Sequence, residues 1–120
     1  MESTMPERRK YLRLNIAVEG VYRRRIPFAR EKLCLAKNIS RGGACILVSK
    51  KLKAQELLDL RIYLPNEPLP IKTMGKVVWV GEGLPRGLFR RRKFSTGVQF
   101  IDIRQEDQDR IESYVLQHYK

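Results

Sequence analysis

Apolar residues recur at every second position along most of this chain, which is the period of a β-strand with one buried face. The clearest run places Leu58, Leu60 and Ile62 on one side and charged residues between them. The same alternation returns several times, separated by glycine, proline and charged residues. It predicts six strands, over residues 14–22, 31–36, 44–48, 56–64, 71–80 and 94–101.

The last segment of the chain has a different period. Ile111, Tyr114, Val115 and His118 fall at positions i, i+3, i+4 and i+7, which form one stripe of an α-helix. Acidic residues precede this stripe, where they complement the positive end of a helix dipole. We therefore predict a helix over residues 105–118 that covers an antiparallel barrel or sandwich of the six strands.

Turn-forming residues separate the predicted strands. The run 23–25 of three arginines, followed by Pro27, should end the first strand or mark an exposed hairpin tip. Residues 37–43 have the composition of a turn. Asn38 and Ser40 can bond local backbone there, and the paired glycines permit a positive φ angle.

The net charge of the chain indicates which classes of partner it could bind. The 120 residues suit one domain, and 25 lysines and arginines against 13 acidic residues give a net charge of +12. Such a surface attracts polyanions, nucleotides and anionic lipid headgroups. No apolar run reaches the roughly 20 residues of a membrane-spanning helix, and residues 1–7 lack the apolar core of a signal peptide. We expect a cytoplasmic protein with no membrane span.

Residues that commonly serve catalysis or metal binding are scarce. The chain has two cysteines, Cys34 and Cys45, and one histidine, His118. Their spacing matches neither a zinc site nor a nucleophile–base pair. We interpret the cysteines as reduced side chains, and we expect no bound metal and no enzymatic activity.

Arginines are concentrated just ahead of the first predicted strand. Arg8, Arg9 and Arg13 place three guanidiniums within six residues, after a polar tail of residues 1–7 that we expect to be flexible. The planar donors of arginine match phosphate oxygens, and the O6 and N7 edge of guanine, in pairs. Residues 8–13 are therefore a candidate clamp for an anionic nucleotide. A solvated basic arm is the alternative.

Two motifs follow one another in a telling order. Arg9-Lys10-Tyr11-Leu12-Arg13 has the form Arg-x-x-x-Arg, and Asn38-Ile39-Ser40-Arg41-Gly42-Gly43 has the form Asp/Asn-x-Ser-x-x-Gly. With segments 75–80 and 97–100, they resemble the PilZ domain family, bacterial receptors for the second messenger cyclic diguanylate (c-di-GMP). The similarity runs from about residue 8 to residue 100.

The resemblance implies a single domain over residues 8–120, with a six-stranded antiparallel β-barrel in 14–101 and a C-terminal helix in 105–118. It implies that c-di-GMP is the ligand, that no other cofactor is needed, and that the arm 8–13 folds over the ligand and alters binding of an effector protein. The ligand-binding residues that it implies are Arg8, Arg9, Arg13, Asn38, Ser40 and Gly43.

The residue types suit these roles. Arg9 and Arg13 can pair with phosphate or guanine, and Arg8 can pair likewise or stack on a purine. Asn38 and Ser40 can bond the guanine edge, and Gly43 would allow a tight backbone turn beside the ligand. An aspartate in place of Asn38 would accept from guanine with charge assistance, so asparagine predicts a lower affinity.

A second function stays open from the residues alone. A basic β-barrel that binds RNA or single-stranded DNA would also use a net charge of +12 and the basic segment 86–93. It predicts a strong loss of affinity with salt and little preference for a cyclic dinucleotide. Aromatic side chains are few for such a surface, and we expect Trp79 in the core or at its rim.

Overall fold

The structure is a computed structural model, and it describes residues 13–14, 17–82 and 93–118. The tail 1–7, the arm residues Arg8 and Arg9, and most of the basic segment 86–93 lie outside the described residues. The described elements are β1 (Arg13–Leu14), β2 (Val18–Arg24), β3 (Lys32–Ser40), β4 (Gly43–Val48), β5 (Leu57–Tyr63), β6 (Ile71–Glu82), β7 (Phe94–Ile101) and α1 (Gln105–His118).

Six of the strands close on themselves. They pair antiparallel in the order β3-β2-β5-β6-β7-β4, and β4 pairs back with β3. A closed sheet satisfies the backbone groups that an open edge would expose. The predicted six-stranded antiparallel barrel with a C-terminal helix is thus confirmed, and the sandwich alternative is wrong. β1 adds two further residues beside the end of β3.

The first predicted strand, over residues 14–22, is not one continuous strand, and its C-terminal part is longer than predicted. The described backbone forms the short β1 and then β2, which continues through Arg23 and Arg24. These arginines stay in the sheet because β5 supplies acidic partners nearby. Arg23 pairs in register with Asp59 and contacts its carboxylate at 3.4 Å, and the Arg24 guanidinium bonds the Glu56 carboxylate. β2 ends at Arg24, and Arg25 begins the hairpin connection to β3, so the arginine run and Pro27 mark the end of this strand as predicted.

The predicted turn over residues 37–43 is mostly strand. β3 continues to Ser40 and β4 begins at Gly43, so only two residues, Arg41 and Gly42, form the connection. Ile39 is fully buried in the barrel core, and the free energy gained by burying its side chain stabilises the extended conformation of this segment. Local turn composition is overridden by tertiary burial and by pairing with β4.

The barrel has two ends, and each collects a different set of connections. One end, which we call the turn pole, carries the Arg41–Gly42 turn, the β5–β6 connection at 64–70 and β1. The other, the hairpin pole, carries the β2–β3 connection at 25–31 and the β4–β5 connection at 49–56. β3 joins the two poles with nine residues, so they lie roughly 27 Å apart at about 3.3 Å per residue.

The core lies inside the barrel and under the helix. Its largest fully buried side chains include Tyr22, Ile39, Ile46, Leu58, Ile62 and Ile71. α1 lies near β1 and β3, and it buries Ile111, Tyr114 and Val115 of the predicted stripe. The fourth member, His118, is exposed. The barrel and helix therefore form one rigid support for the surface residues of the turn pole.

Candidate functional site

β1 brings the end of the arginine arm to the turn pole. The backbone of Arg13 lies opposite Ser40, and Leu14 lies opposite Ile39, in an antiparallel pair with β3. Two motifs that are 25 residues apart in sequence therefore meet on neighbouring strands. Arg8 and Arg9 lie outside the described residues, so their positions stay predictions.

Ser40 is built into the hairpin between β3 and β4. Its side chain is buried, its hydroxyl donates to the Gly43 carbonyl at 3.3 Å, and its Oγ accepts from the Gly42 N–H at 3.3 Å. These bonds hold the two-residue connection in shape. Ser40 thus shapes the backbone that a ligand would meet, and its own contact with a ligand stays a prediction.

Asn38 lies on the outer surface because of an irregularity in β3. A bulge between Ala36 and Asn38 inserts one extra residue, after which Asn38 stands opposite Cys45. Its Oδ1 accepts the Cys45 N–H at 3.2 Å, which fixes the orientation of the half-buried side chain. A ligand that contacts Asn38 would therefore meet a side chain of fixed orientation.

Gly43 is needed for close packing rather than for a special turn. Its φ angle lies outside the left-handed region, so this position does not use the positive φ that a glycine permits. A β-carbon at this position would overlap the carbonyl oxygen of Val98 on the neighbouring strand β7. The glycine lets β4 and β7 approach each other beside the hairpin.

Trp79 belongs to the same outer surface, although we expected it in the core or at the rim. A bulge between Val77 and Trp79 places it opposite Gly97, and its side chain is 46% exposed. A β-carbon on Gly97 would overlap the indole, so the ring lies against the glycine backbone. The result is an exposed aromatic face on β6.

Asn38 and Trp79 are the two ends of one row across the barrel wall. Register aligns Asn38 with Cys45, Cys45 with Gly97, and Gly97 with Trp79. Three strand spacings of about 4.8 Å separate the two outer residues by roughly 14 Å. The sequence signal for Trp79 was Gly97, because a glycine at an outward position of a strand often makes room for a neighbouring group.

The family model for the PilZ domain matches residues 7–117, which is most of the chain. The chain belongs to the PilZ family. No protein of curated function matches the sequence closely enough to count as a relative.

Solved structures share the fold of this PilZ chain. The inhibitor of motility MotI/DgrA of Bacillus subtilis superposes with a TM-score of 0.73 at 22% identity, over 93% of this chain and 51% of that one. The K. pneumonia MrkH–c-di-GMP complex gives 0.71 at 24%, over 93% and 52%. The c-di-GMP-bound PilZ domain of Escherichia coli YcgR gives 0.68 at 10%, over 92% and 91%.

The PilZ chain thus spans about half the length of MotI and MrkH and nearly all of the isolated YcgR domain. All three identities are below 25%, so these likenesses concern the fold. What each relative binds is a property of that relative.

Ion pairs connect the Arg41–Gly42 turn of this PilZ domain to α1. The Arg41 guanidinium, next to Ser40, contacts the Asp109 carboxylate at 3.1 Å and the Glu112 carboxylate at 2.6 Å. Desolvation acts to lower the pKa of Arg41, but hydrogen bonds to Glu112 and Asp109 outweigh it and raise that pKa above its ordinary value. Arg41 is therefore a permanent cation directed at α1.

The cysteines occupy opposite faces of the sheet. Cys34 pairs with Gly20 and packs against the core, while Cys45 stands in the outer row. Burial raises the pKa of the Cys34 thiol to about 12, which leaves it a poor nucleophile. Neither Cys34 nor Cys45 forms a disulfide.

The described part of the chain contains neither a metal-binding cluster nor a membrane-spanning helix. No group of three or more histidine, cysteine or acidic side chains is arranged to hold a metal ion within residues 13–14, 17–82 and 93–118. Over the same residues, no helix has the length and apolarity needed to cross a membrane.

Proposed function

We propose that this PilZ domain is a c-di-GMP receptor and that the ligand lies on the outer surface at the turn pole. The observation that carries the proposal is the register of β1 on β3, which puts Arg13 opposite Ser40 on a strand that also holds Asn38. Family membership supports it, as do the c-di-GMP complexes of MrkH and YcgR.

The chemistry of the surface suits a guanine nucleotide with two phosphates. Arg9 and Arg13 would pair with phosphate oxygens or with guanine O6 and N7, and Arg8 would add a third guanidinium. Asn38 and Ser40 would meet the polar edge of a guanine beside the hairpin. Gly43 would keep the nearby backbone close and free of side chain.

Trp79 would extend the site along the row. Its exposed indole is held flat by Gly97, and flat aromatic faces stack on nucleobases. The roughly 14 Å between Asn38 and Trp79 is room for more than one base across the barrel wall. We propose that one guanine bonds near Asn38 and that a base stacks on Trp79.

Calorimetric titration with c-di-GMP tests the receptor. We expect saturable binding in the wild-type chain and loss of binding in Arg9→Ala and Arg13→Ala, because each removes a bidentate cation. Lys72→Ala is the matched control, since Lys72 is an exposed cation on β6 that the site does not use. Absence of heat at tens of micromolar c-di-GMP, or full affinity in both arginine variants, would contradict the proposal.

The same titration separates the Trp79 role from the clamp. Trp79→Ala should weaken binding about tenfold, within the roughly 1–3 kcal/mol that one base–aromatic stack contributes, while Trp79→Phe should keep most of the affinity. Equal affinity in the alanine and wild-type chains would remove Trp79 from the site and leave the arginine clamp untouched.

The arm is proposed to fold over the ligand and so to change the surface that an effector protein meets. Trypsin tests this directly, because residues 8–13 offer it four cleavage sites. Saturating c-di-GMP should slow cleavage within 8–13 in the wild-type chain but not in Arg13→Ala, whose remaining sites serve as the control. Unchanged cleavage in the presence of bound ligand would contradict the folding of the arm.

We place this receptor in the cytoplasm and assign it no catalysis. Cys34 and Cys45 form no disulfide, which suits a reducing compartment. The nucleic-acid alternative lacks support in the fold, since the exposed aromatics of the described residues, Phe28, Tyr63 and Trp79, lie on separate parts of the barrel. Competition by single-stranded oligonucleotides for the c-di-GMP site would revive that alternative.

A further inference from the structure

The hairpin pole displays apolar side chains at its tip. Phe28 is fully exposed, and Ile26 and Leu33 are 46% and 83% exposed on the same β2–β3 hairpin. Phe28 also has a φ angle of 63°, a left-handed conformation that is unfavourable for a bulky side chain. Phe28 is therefore unfavourable for the folded state in two ways, because its apolar side chain is exposed to water and its backbone is strained. Its side chain contributes no packing that would offset this.

Cations surround this apolar tip. The hairpin carries Arg25, Arg30 and Lys32, and the neighbouring β4–β5 connection carries Lys50, Lys51 and Lys53. The Arg25 N–H donates at 3.1 Å to the carbonyl of Leu57, the first residue of β5 after that connection, so the two segments lie at the same end of the barrel. A positively charged collar therefore belongs to the same end of the barrel as the apolar tip.

The acidic residues near the collar are already engaged. Glu31 contacts Arg61 at 2.7 Å and Glu56 bonds Arg24. Two collar cations are themselves paired, because Arg25 contacts Asp59 at 3.7 Å and Lys51 contacts Glu82 at 3.3 Å. In the described part of the chain, no ion pair involves Arg30, Lys32 or Lys50. Their charge is consequently available to an external anion.

We infer that the hairpin pole docks on an anionic lipid surface. Phe28 and Ile26 would enter the boundary between headgroups and acyl chains, and the collar would contact the lipid phosphates. An apolar tip surrounded by cations suits such an interface, because the tip can contact the acyl chains while the cations contact the headgroups. This inference does not rest on c-di-GMP binding.

A lipid surface fits the shape of the pole better than a protein partner does. The exposed apolar side chains that we assign to this pole, Ile26, Phe28 and Leu33, all lie on one hairpin, whereas a stable protein interface buries a broad, continuous patch. A fluid interface accepts a projecting side chain without a matching cavity. The turn pole, roughly 27 Å away along β3, stays uncovered when the hairpin pole is docked.

Flotation of the full chain with vesicles tests the inference. We expect binding to vesicles of phosphatidylcholine with one quarter phosphatidylglycerol, little binding to phosphatidylcholine alone, and weaker binding at 0.5 M salt. Absence of flotation at millimolar anionic lipid would overturn the proposal. Equal binding to both vesicle types would overturn the role of the collar.

Two pairs of variants locate the contact. Phe28→Ser should weaken vesicle binding about tenfold, while Leu69→Ser, which removes a 68% exposed leucine near the turn pole, should leave it unchanged. Arg30→Ala and Lys32→Ala should each weaken binding about fivefold, with Lys72→Ala as the matched control. Each variant alters an exposed side chain, so circular dichroism should show an intact fold. Equal losses in test and control variants would overturn the assignment to the hairpin pole.

A tryptophan at the tip reports depth. When Phe28→Trp binds vesicles, its tryptophan emission should shift to the blue, and brominated acyl chains should quench that emission. Leu69→Trp should show neither change. Both variants also contain Trp79, which contributes the same background emission to each. No blue shift at Phe28→Trp in bound protein would overturn insertion. Retention on immobilised polyglutamate that depends on Phe28, without vesicle binding, would assign the pole to an acidic protein instead.

Discussion

Gly43 and Gly97 control what the outer surface of the barrel can display. Because Gly43 has no side chain, the backbone of β7 can lie close to the hairpin. Because Gly97 has none, the Trp79 indole can pack directly against its backbone. The two contacts differ in kind, because one neighbour is backbone and the other is a side chain that can rotate into solvent. The same substitution should therefore have different effects at the two positions.

We predict that Gly43→Ala destabilises the fold by about 2–3 kcal/mol, since the β-carbon can be accommodated only by a backbone shift. Gly97→Ala should cost less than about 1 kcal/mol but move the indole, with a red shift of Trp79 emission and weaker c-di-GMP binding. Urea unfolding and fluorescence measure both effects. This arrangement of Trp79 would be contradicted if Gly97→Ala were destabilised as much as Gly43→Ala and its Trp79 emission were unchanged.

Glu56 is a half-buried acid at the hairpin pole, and its carboxylate accepts bonds from the Arg24 guanidinium and the Lys53 N–H. Burial acts to raise its pKa, but hydrogen bonds from the Arg24 guanidinium and the Lys53 N–H, together with the charges of both residues, lower that pKa overall below the ordinary 4.5. A carboxyl group with a depressed pKa in the folded state stabilises the protein above its unfolded pKa. That stabilisation is lost as the pH falls through the folded pKa.

We predict that Glu56→Gln is less stable than wild type at pH 7 and that the difference shrinks as the pH falls below about 4.5. The free energy of unfolding, measured in urea from pH 7 to pH 3, gives the result. Glu106→Gln, at a carboxylate whose side chain is 70% exposed, serves as the control and should follow wild type. A constant difference across this pH range would contradict the Arg24–Glu56 contact.

At the scale of elements, α1 and the β3–β4 hairpin behave as one unit. Arg41 lies in the two-residue connection, and it contacts Asp109 and Glu112 on the helix. Ser40 and Asn38 belong to the strand that leads into that connection. A ligand that orders this hairpin should therefore affect the helix as well.

We predict that saturating c-di-GMP slows amide hydrogen exchange in α1 and that Arg41→Ala reduces this effect, because the ion pairs carry it. Mass spectrometry of peptides from residues 105–118 provides the measurement. Arg110→Ala is the comparison, since Arg110 contacts Glu67 and Asp107 rather than the hairpin. Equal protection in Arg41→Ala and wild type would show that the helix does not sense the hairpin.

At the scale of the whole molecule, the barrel separates two surfaces. The turn pole holds the proposed nucleotide site, and the hairpin pole holds the proposed lipid contact. The rigid strand β3 connects them over roughly 27 Å. The two surfaces are far enough apart for both to be occupied together.

We predict that c-di-GMP at about 100 times its Kd stabilises the chain by roughly 2.7 kcal/mol, while Arg13→Ala gains nothing. Vesicle affinity should be the same with and without c-di-GMP, since neither surface covers the other. Thermal unfolding and flotation measure the two quantities. Competition between c-di-GMP and vesicles would contradict this separation and place both contacts on one face.

The regular elements could be predicted because their patterns are local. Alternation identified the six barrel strands, and the stripe from Ile111 to His118 identified the helix, since a strand or helix repeats its own geometry every two or 3.6 residues. The order of two motifs was enough to suggest the PilZ family. Local composition misled at residues 37–43, where burial of Ile39 and pairing with β4 extend the strand.

The assembly of the site depended on contacts between distant residues. Arg13 meets Ser40, and Asn38 shares a row with Trp79, only through the register of strands that are far apart in sequence. The two bulges that turn Asn38 and Trp79 outward leave no simple periodic signal. The sequence by itself determined which segments form strands and helix, because backbone geometry repeats locally. Only the tertiary structure decided which side chains share the outer surface, because pairing, bulges and close glycine contacts arise when the barrel closes.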